Sequence, residues 1–152
     1  MATPKMLIDA VGSWTGESEL HLSWLPEGER VLKSASTMQV ASDPNHAYAE
    51  VRYDWSHDGE MQYGRMLVAA DEAGIATGGW SDSWHQSSAV MALKGEAKAT
   101  VNLSGHYSVE GHPDWGWRIQ LRMEGSVLIF EMFNVTPDGE EEWAVRGRYQ
   151  RS

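Results

Sequence analysis

Between residues 14 and 24 the chain alternates. Trp14, Gly16, Ser18, Leu20, Leu22 and Trp24 interleave with Glu17, Glu19, His21 and Ser23. A period of two belongs to a strand with one buried and one wetted face. "AYAEVRYDW" repeats the pattern, setting Val51, Tyr53 and Trp55 against Glu50, Arg52 and Asp54. "WGWRIQLRME" does so again, with Trp115, Trp117, Ile119, Leu121 and Met123 on the apolar side. Such runs predict strands near residues 14–25, 30–41, 47–57, 60–69, 75–85, 88–94, 98–107, 115–124, 126–135 and 141–150, with a short helix over 4–11.

The connections "PEG", "HDGE", "DEAG", "EGS" and "PDGE" supply the positive-φ positions that short hairpins require, so consecutive strands are predicted to be antiparallel neighbours. A meander of roughly nine or ten strands leaves two long edges open unless it closes on itself. The fold class is therefore all-β, a single antiparallel up-and-down β-barrel with a short N-terminal helix. A two-sheet Greek-key sandwich needs longer crossovers than these turns readily provide. At 152 residues the chain buries one good core and is too short for two comfortable ones, so 1–152 reads as a single domain.

Composition narrows the function. The formal charge of −10 repels nucleic acid and anionic membranes. There is no cysteine, which removes disulfides, thiolate nucleophiles and Cys-ligated metals, and fits a reducing compartment. "MATPKMLIDAVGSW" carries neither a secretion signal nor a membrane span, and the protein reads as cytoplasmic. The eight tryptophans must either fill a core or surround a ligand.

The densest chemistry is in "GGWSDSWHQSS". If Trp80, Asp82 and Trp84 face inward, two rigid rings flank one carboxylate, the mixture of apolar wall and sparse polar anchor expected of a small-molecule pocket. Tyr53, Trp55, Trp117, Phe130 and Trp143 would line the same cavity from other strands. A bulge at Gly78-Gly79 would reverse the register and point Ser81, Ser83 and His85 inward instead. The competing reading is that the rings fill a dry core.

A Ser-His-Asp site is argued against, because on a regular strand Asp82 and His85 occupy opposite faces and Ser83 lies about 6–7 Å from His85. The six histidines, His21, His46, His57, His85, His106 and His112, show no metal-ligand spacing, so no metal is expected. Glu131 lies in the apolar run "VLIFEMF", and its expected partner is an arginine such as Arg118 or Arg122.

Gly12-Ser13-Trp14, placed after the helical stretch and at the start of the first strand, resembles the G-x-W element of lipocalins and the wider calycin group, nitrobindin-like barrels included. The resemblance implies that Trp14 closes the barrel floor beneath a basic side chain of the last strand, Arg146 or Arg148, as suits a guanidinium over an indole. With "DSWH" and the ending Tyr149-x-Arg151, the chain resembles the bacterial family catalogued as domain of unknown function 1579. Nitrobindin-like barrels hold haem through a late histidine, but the last histidine here is His112, so no haem or other cofactor is expected.

These readings converge on a barrel that binds a small apolar or amphipathic molecule without chemistry of its own. The runner-up is an enzyme in the same cavity with Asp82 or His85 as acid or base. A third reading has a filled core and an outer Trp face that serves a homodimer.

Overall fold

The alternation becomes ten antiparallel strands. The computed structural model describes residues 1–87 and 89–152. It comprises α1 (Lys5–Asp9), β1 (Gly12–His21), β2 (Val31–Ser42), β3 (Ala49–His57), β4 (Glu60–Ala70), β5 (Ile75–Asp82), β6 (Met91–Ala97), β7 (Thr100–Tyr107), β8 (Trp115–Glu124), β9 (Val127–Val135) and β10 (Glu141–Arg151). Each strand pairs with its predecessor, and β1 pairs with β10 to close the barrel. Turn chemistry drives this order. Asp58 and Gly59, at φ 50° and 78°, join β3 to β4 in a two-residue hairpin of the kind that only positive φ permits. Among the described residues no helix is long and apolar enough to cross a membrane.

Three predicted strands shift. The run 14–25 ends at His21, and Trp24, on the buried face of that alternation, is 72% exposed in the connection that follows. The run 75–85 stops at Asp82, because that side chain takes the backbone N–H groups of Trp84 and His85, each at 2.9 Å, and bends the chain into a turn. The run 88–94 becomes β6, and residue 88 lies outside the described residues. No bulge interrupts Gly78-Gly79. Gly78, Trp80 and Asp82 stay on the inner face, opposite Val68, Met66 and Gly64.

Helix α1 closes one end of the barrel. Its Leu7 is fully buried, and the indole N–H of Trp14 donates to Ala10 O at 2.8 Å. The cation over the Trp14 ring is Arg151, at 4.5 Å, and neither Arg146 nor Arg148. Register is the reason. Trp14 lies directly opposite Arg151, whereas Arg148 and Arg146 lie opposite Glu17 and Glu19 on the outer wall. Arg151 also donates to Val11 O at 2.9 Å and Asp9 O at 2.8 Å, binding the last strand to the end of the helix. Gly12 is obligatory beneath it, since its φ is 140° and a Cβ would stand 2.8 Å from Arg151 Nη1.

Between the two ends the barrel is filled. Trp80, Met66, Leu93, Leu103, Ile119, Leu121 and Phe130 are each at most 1% exposed. Close packing of this kind is what a small barrel's interior accommodates.

Candidate functional site

In a closed meander the connections alternate between the two ends. Opposite α1 lie the links β1–β2, β3–β4, β5–β6, β7–β8 and β9–β10, and this second end is roofed by aromatic rings. The residues Tyr53 and Trp55 of β3, Trp80 and Asp82 of β5, Trp117 of β8, and Trp84 and His85 of the turn after β5 meet there.

Asp82 organises the cluster. It is 1% exposed and accepts from five donors. Tyr53 Oη donates to Oδ2 at 2.7 Å, and Trp55 Nε1 to the same oxygen at 3.3 Å. The backbone N–H groups of Trp84 and His85 reach Oδ1, and His85 Nδ1 lies 3.2 Å from it. Trp80 Nε1 in turn donates to Tyr53 Oη at 2.9 Å. Burial pushes the Asp82 carboxyl up, but the hydrogen bond from His85, its charge in acid, the backbone N–H and the Tyr53 hydroxyl outweigh this and hold it below the ordinary carboxylate value. Burial, and then the Asp82 charge, drive the Tyr53 phenol well above its usual value.

A missing side chain makes the Tyr53–Asp82 bond feasible. Tyr53 of β3 is paired with Gly64 of β4, and Gly64 with Asp82 of β5, so all three stand in one row across the inner wall. A Cβ on Gly64 would stand 1.9 Å from Tyr53 Cζ. Tyr53 therefore lies flat over the glycine and spans two strand spacings. Its ring meets Phe130 edge-on at 5.0 Å.

His85 is surrounded by indoles. Its ring centroid lies 4.8 Å from Trp84, 5.2 Å from Trp117, 5.7 Å from Trp55 and 6.2 Å from Trp80. Trp80 and Trp117 stack at 5.4 Å with planes 9° apart. Trp84, half-buried, meets Trp55 edge-on at 5.8 Å and His57 at 5.4 Å. Trp117 is 7% exposed, and its Nε1 has no hydrogen-bond partner among the described residues.

Trp143 stands apart from this group. A bulge between Trp143 and Val145 breaks the alternation of β10, and Trp143 stacks on His21 at 4.4 Å with Arg146 4.1 Å above its ring. Trp143, expected among the residues lining the cavity, therefore lies outside it. The objection to an Asp82–His85 contact falls for a similar reason, because His85 sits on a turn and not on a strand. No serine completes a triad from this segment's strand end. Ser81 Oγ donates to Ala89 O and Ser83 Oγ to Gln62 Oε1, both at 2.7 Å. Glu131 is bound by Arg122, with Arg146 at 3.6 Å. Among the described residues no group of three or more His, Cys, Asp or Glu is placed to hold a metal ion.

On the outer wall a groove of about 600 Å³ runs between Thr37, Arg52, Tyr63 and Ser81 and reaches Tyr53 and Asp82 at Gly64. The Tyr53–Asp82 bond thus separates an aromatic interior from a polar exterior. Sequence reasoning did not single out Gly64 or His57. Gly64 breaks the apolar alternation of "MQYGRMLV", which was a usable signal.

The class defined by these features is a closed ten-stranded barrel with a helix at one end and an Asp-centred aromatic cluster at the other. The family model described as "Protein of unknown function (DUF1579)" matches residues 2–151, and the chain belongs to that family. No curated protein matches it.

Proposed function

We propose that the protein binds a small, partly apolar molecule at the aromatic end of the barrel and performs no chemistry of its own, as a calycin-like carrier or sensor would. One observation carries this reading. The carboxylate of Asp82 is buried, and every hydrogen bond it accepts positions an aromatic ring or the turn that holds one. Apolar residues of the same volume would pack the barrel at no desolvation penalty, so an ionised group retained here fits a site better than a core. The formal charge of −10 supports a ligand other than nucleic acid or anionic lipid. The lack of cysteine supports a cytoplasmic setting.

Native mass spectrometry of protein purified from its host tests the proposal, with tryptophan fluorescence during titration with apolar probes as the second measurement. A stoichiometric small molecule, or saturable quenching, is expected. A protein that is empty and insensitive to every probe points to packing alone.

A second reading has its own support. Asp82 fixes His85 through Nδ1, the arrangement in which a carboxylate orients an imidazole for proton transfer at Nε2. On that reading the bound molecule is converted, and a ligand recovered with altered mass after incubation with wild type, but unaltered with His85→Ala, would establish it.

A further inference from the structure

The aromatic end offers two unused polar atoms, and together they specify a ligand. Trp117 Nε1 is a buried donor with no acceptor among the described residues. The ring stacked against Trp80 cannot turn its N–H elsewhere without losing that stack, so the donor is held in place. Beside it, His85 uses Nδ1 toward Asp82, and Nε2 forms no hydrogen bond among the described residues. In the neutral imidazole the proton sits on the nitrogen facing the carboxylate, and Nε2 presents a lone pair. A fixed donor and a fixed acceptor therefore stand on adjacent rings with centroids 5.2 Å apart.

A group that answers both must accept one hydrogen bond and donate another. A hydroxyl does this. A carboxylate or phosphate accepts only and would confront the Nε2 lone pair, whereas an ammonium donates only and would leave Trp117 unanswered. The rim acts against anions as well. The loops at this end expose Glu27, Glu29, Asp58, Glu110, Asp114 and Asp138, with Arg30 their one Lys or Arg. The surrounding surfaces are the faces and edges of Trp55, Trp84 and Trp117, which favour a flat aromatic body over a branched aliphatic one.

We infer that the site recognises an uncharged phenol-class molecule, its hydroxyl accepting from Trp117 Nε1–H and donating to His85 Nε2. This rests on the binding reading above and names the ligand chemistry of the same site. Binding replaces the missing partner of a buried donor, which is why the hydroxyl should govern selectivity more than the ring does.

The experiment compares 4-methylphenol, toluene and 4-methylbenzoate by isothermal titration at about pH 8, above the ordinary imidazole range. The phenol is expected to bind about tenfold or more tighter than toluene, equivalent to about 1.4 kcal/mol, with the benzoate weakest. Trp117→Phe, which keeps a ring and removes the donor, should reduce the phenol's advantage over toluene to about threefold or less. Equal binding of phenol and toluene to wild type overturns the hydroxyl inference and leaves the site standing. Tightest binding by the benzoate overturns it too. If none of the three binds, both the inference and the binding reading fall. Should Trp117→Phe not fold, the wild-type indole N–H resonance of Trp117 decides. A downfield shift with 4-methylphenol and not with toluene supports the inference, and no difference between the two overturns it.

Discussion

Tyr53 reaches Asp82 across Gly64, forming a 2.7 Å hydrogen bond between strands that are not neighbours. The bond depends on a hydrogen atom where any other residue would carry a carbon. Gly64→Ala should displace the Tyr53 ring, take the shorter of two donors from one oxygen of a buried carboxylate and destabilise the barrel by about 2–4 kcal/mol, combining overpacking with a lost partner. Tyr53→Phe keeps the ring and loses only the donor, for about 1–3 kcal/mol. Urea denaturation of both variants is the check, and a neutral Gly64→Ala would refute the arrangement.

Asp82→Asn is expected to release the turn that follows β5. The amide offers one acceptor oxygen to donors that now occupy two, and its own N–H groups face other donors. A loss of about 3 kcal/mol at neutral pH is expected, with red-shifted Trp84 emission and faster proteolysis between residues 83 and 90. The pH dependence has a definite sign. Because the folded carboxyl titrates below its ordinary value, its contribution is complete above about pH 4 and disappears as pH falls through the lowered folded value. Wild type and variant should therefore converge in stability in strong acid, as denaturant midpoints across that range would show.

Two tryptophans four residues apart should respond differently to truncation. Trp80 is fully buried and stacked on Trp117, so Trp80→Ala should cost about 3–5 kcal/mol. Trp84 sits half-buried on the turn, and Trp84→Ala should cost less than about 2 kcal/mol while weakening apolar probe binding. Thermal and chemical melts with parallel probe titrations test the pair. Equal, large losses without any change in binding would assign Trp84 to the core.

At the helix end, Arg151→Met should destabilise by about 1–2 kcal/mol, since it removes two charge-assisted bonds to the carbonyls of Asp9 and Val11 and the cation over Trp14. Arg148→Met, at an exposed position 3.8 Å from Glu124, should change stability by less than about 0.5 kcal/mol. A midpoint comparison of the two variants separates these roles.

Most of the barrel was legible because its code is periodic. Alternation along "TGESELHL" and "WGWRIQLRME" and a glycine at most corners state strand, face and neighbour together. What was not legible depends on breaks in the period. The bulge at Trp143 shifts the register of β10, the turn at Trp84-His85 follows from the hydrogen bonds that Asp82 accepts, and each changes which side a ring faces. Arg146 and Arg148 were the expected partners of Trp14 in "AVRGRYQR", but cross-strand register, which a single strand's sequence does not contain, selects Arg151. The Asp82 cluster was visible as a group of residue types. Its wiring through Gly64 required knowing that three strands carry those residues in one row.

The seam between β1 and β10 has a kinetic consequence. Nine of the ten pairings join strands adjacent in sequence and can zip as local hairpins, whereas the tenth must bring the first strand to the last. Loop-closure entropy falls almost wholly on that one event, which slows all-β folding relative to helical folding. Until β10 docks, the sheet is an open curl with β1 and β9 as bare edges, and those edges are competent to pair with another chain. Aggregation during synthesis should thus be decided in the interval between the ninth strand and the tenth.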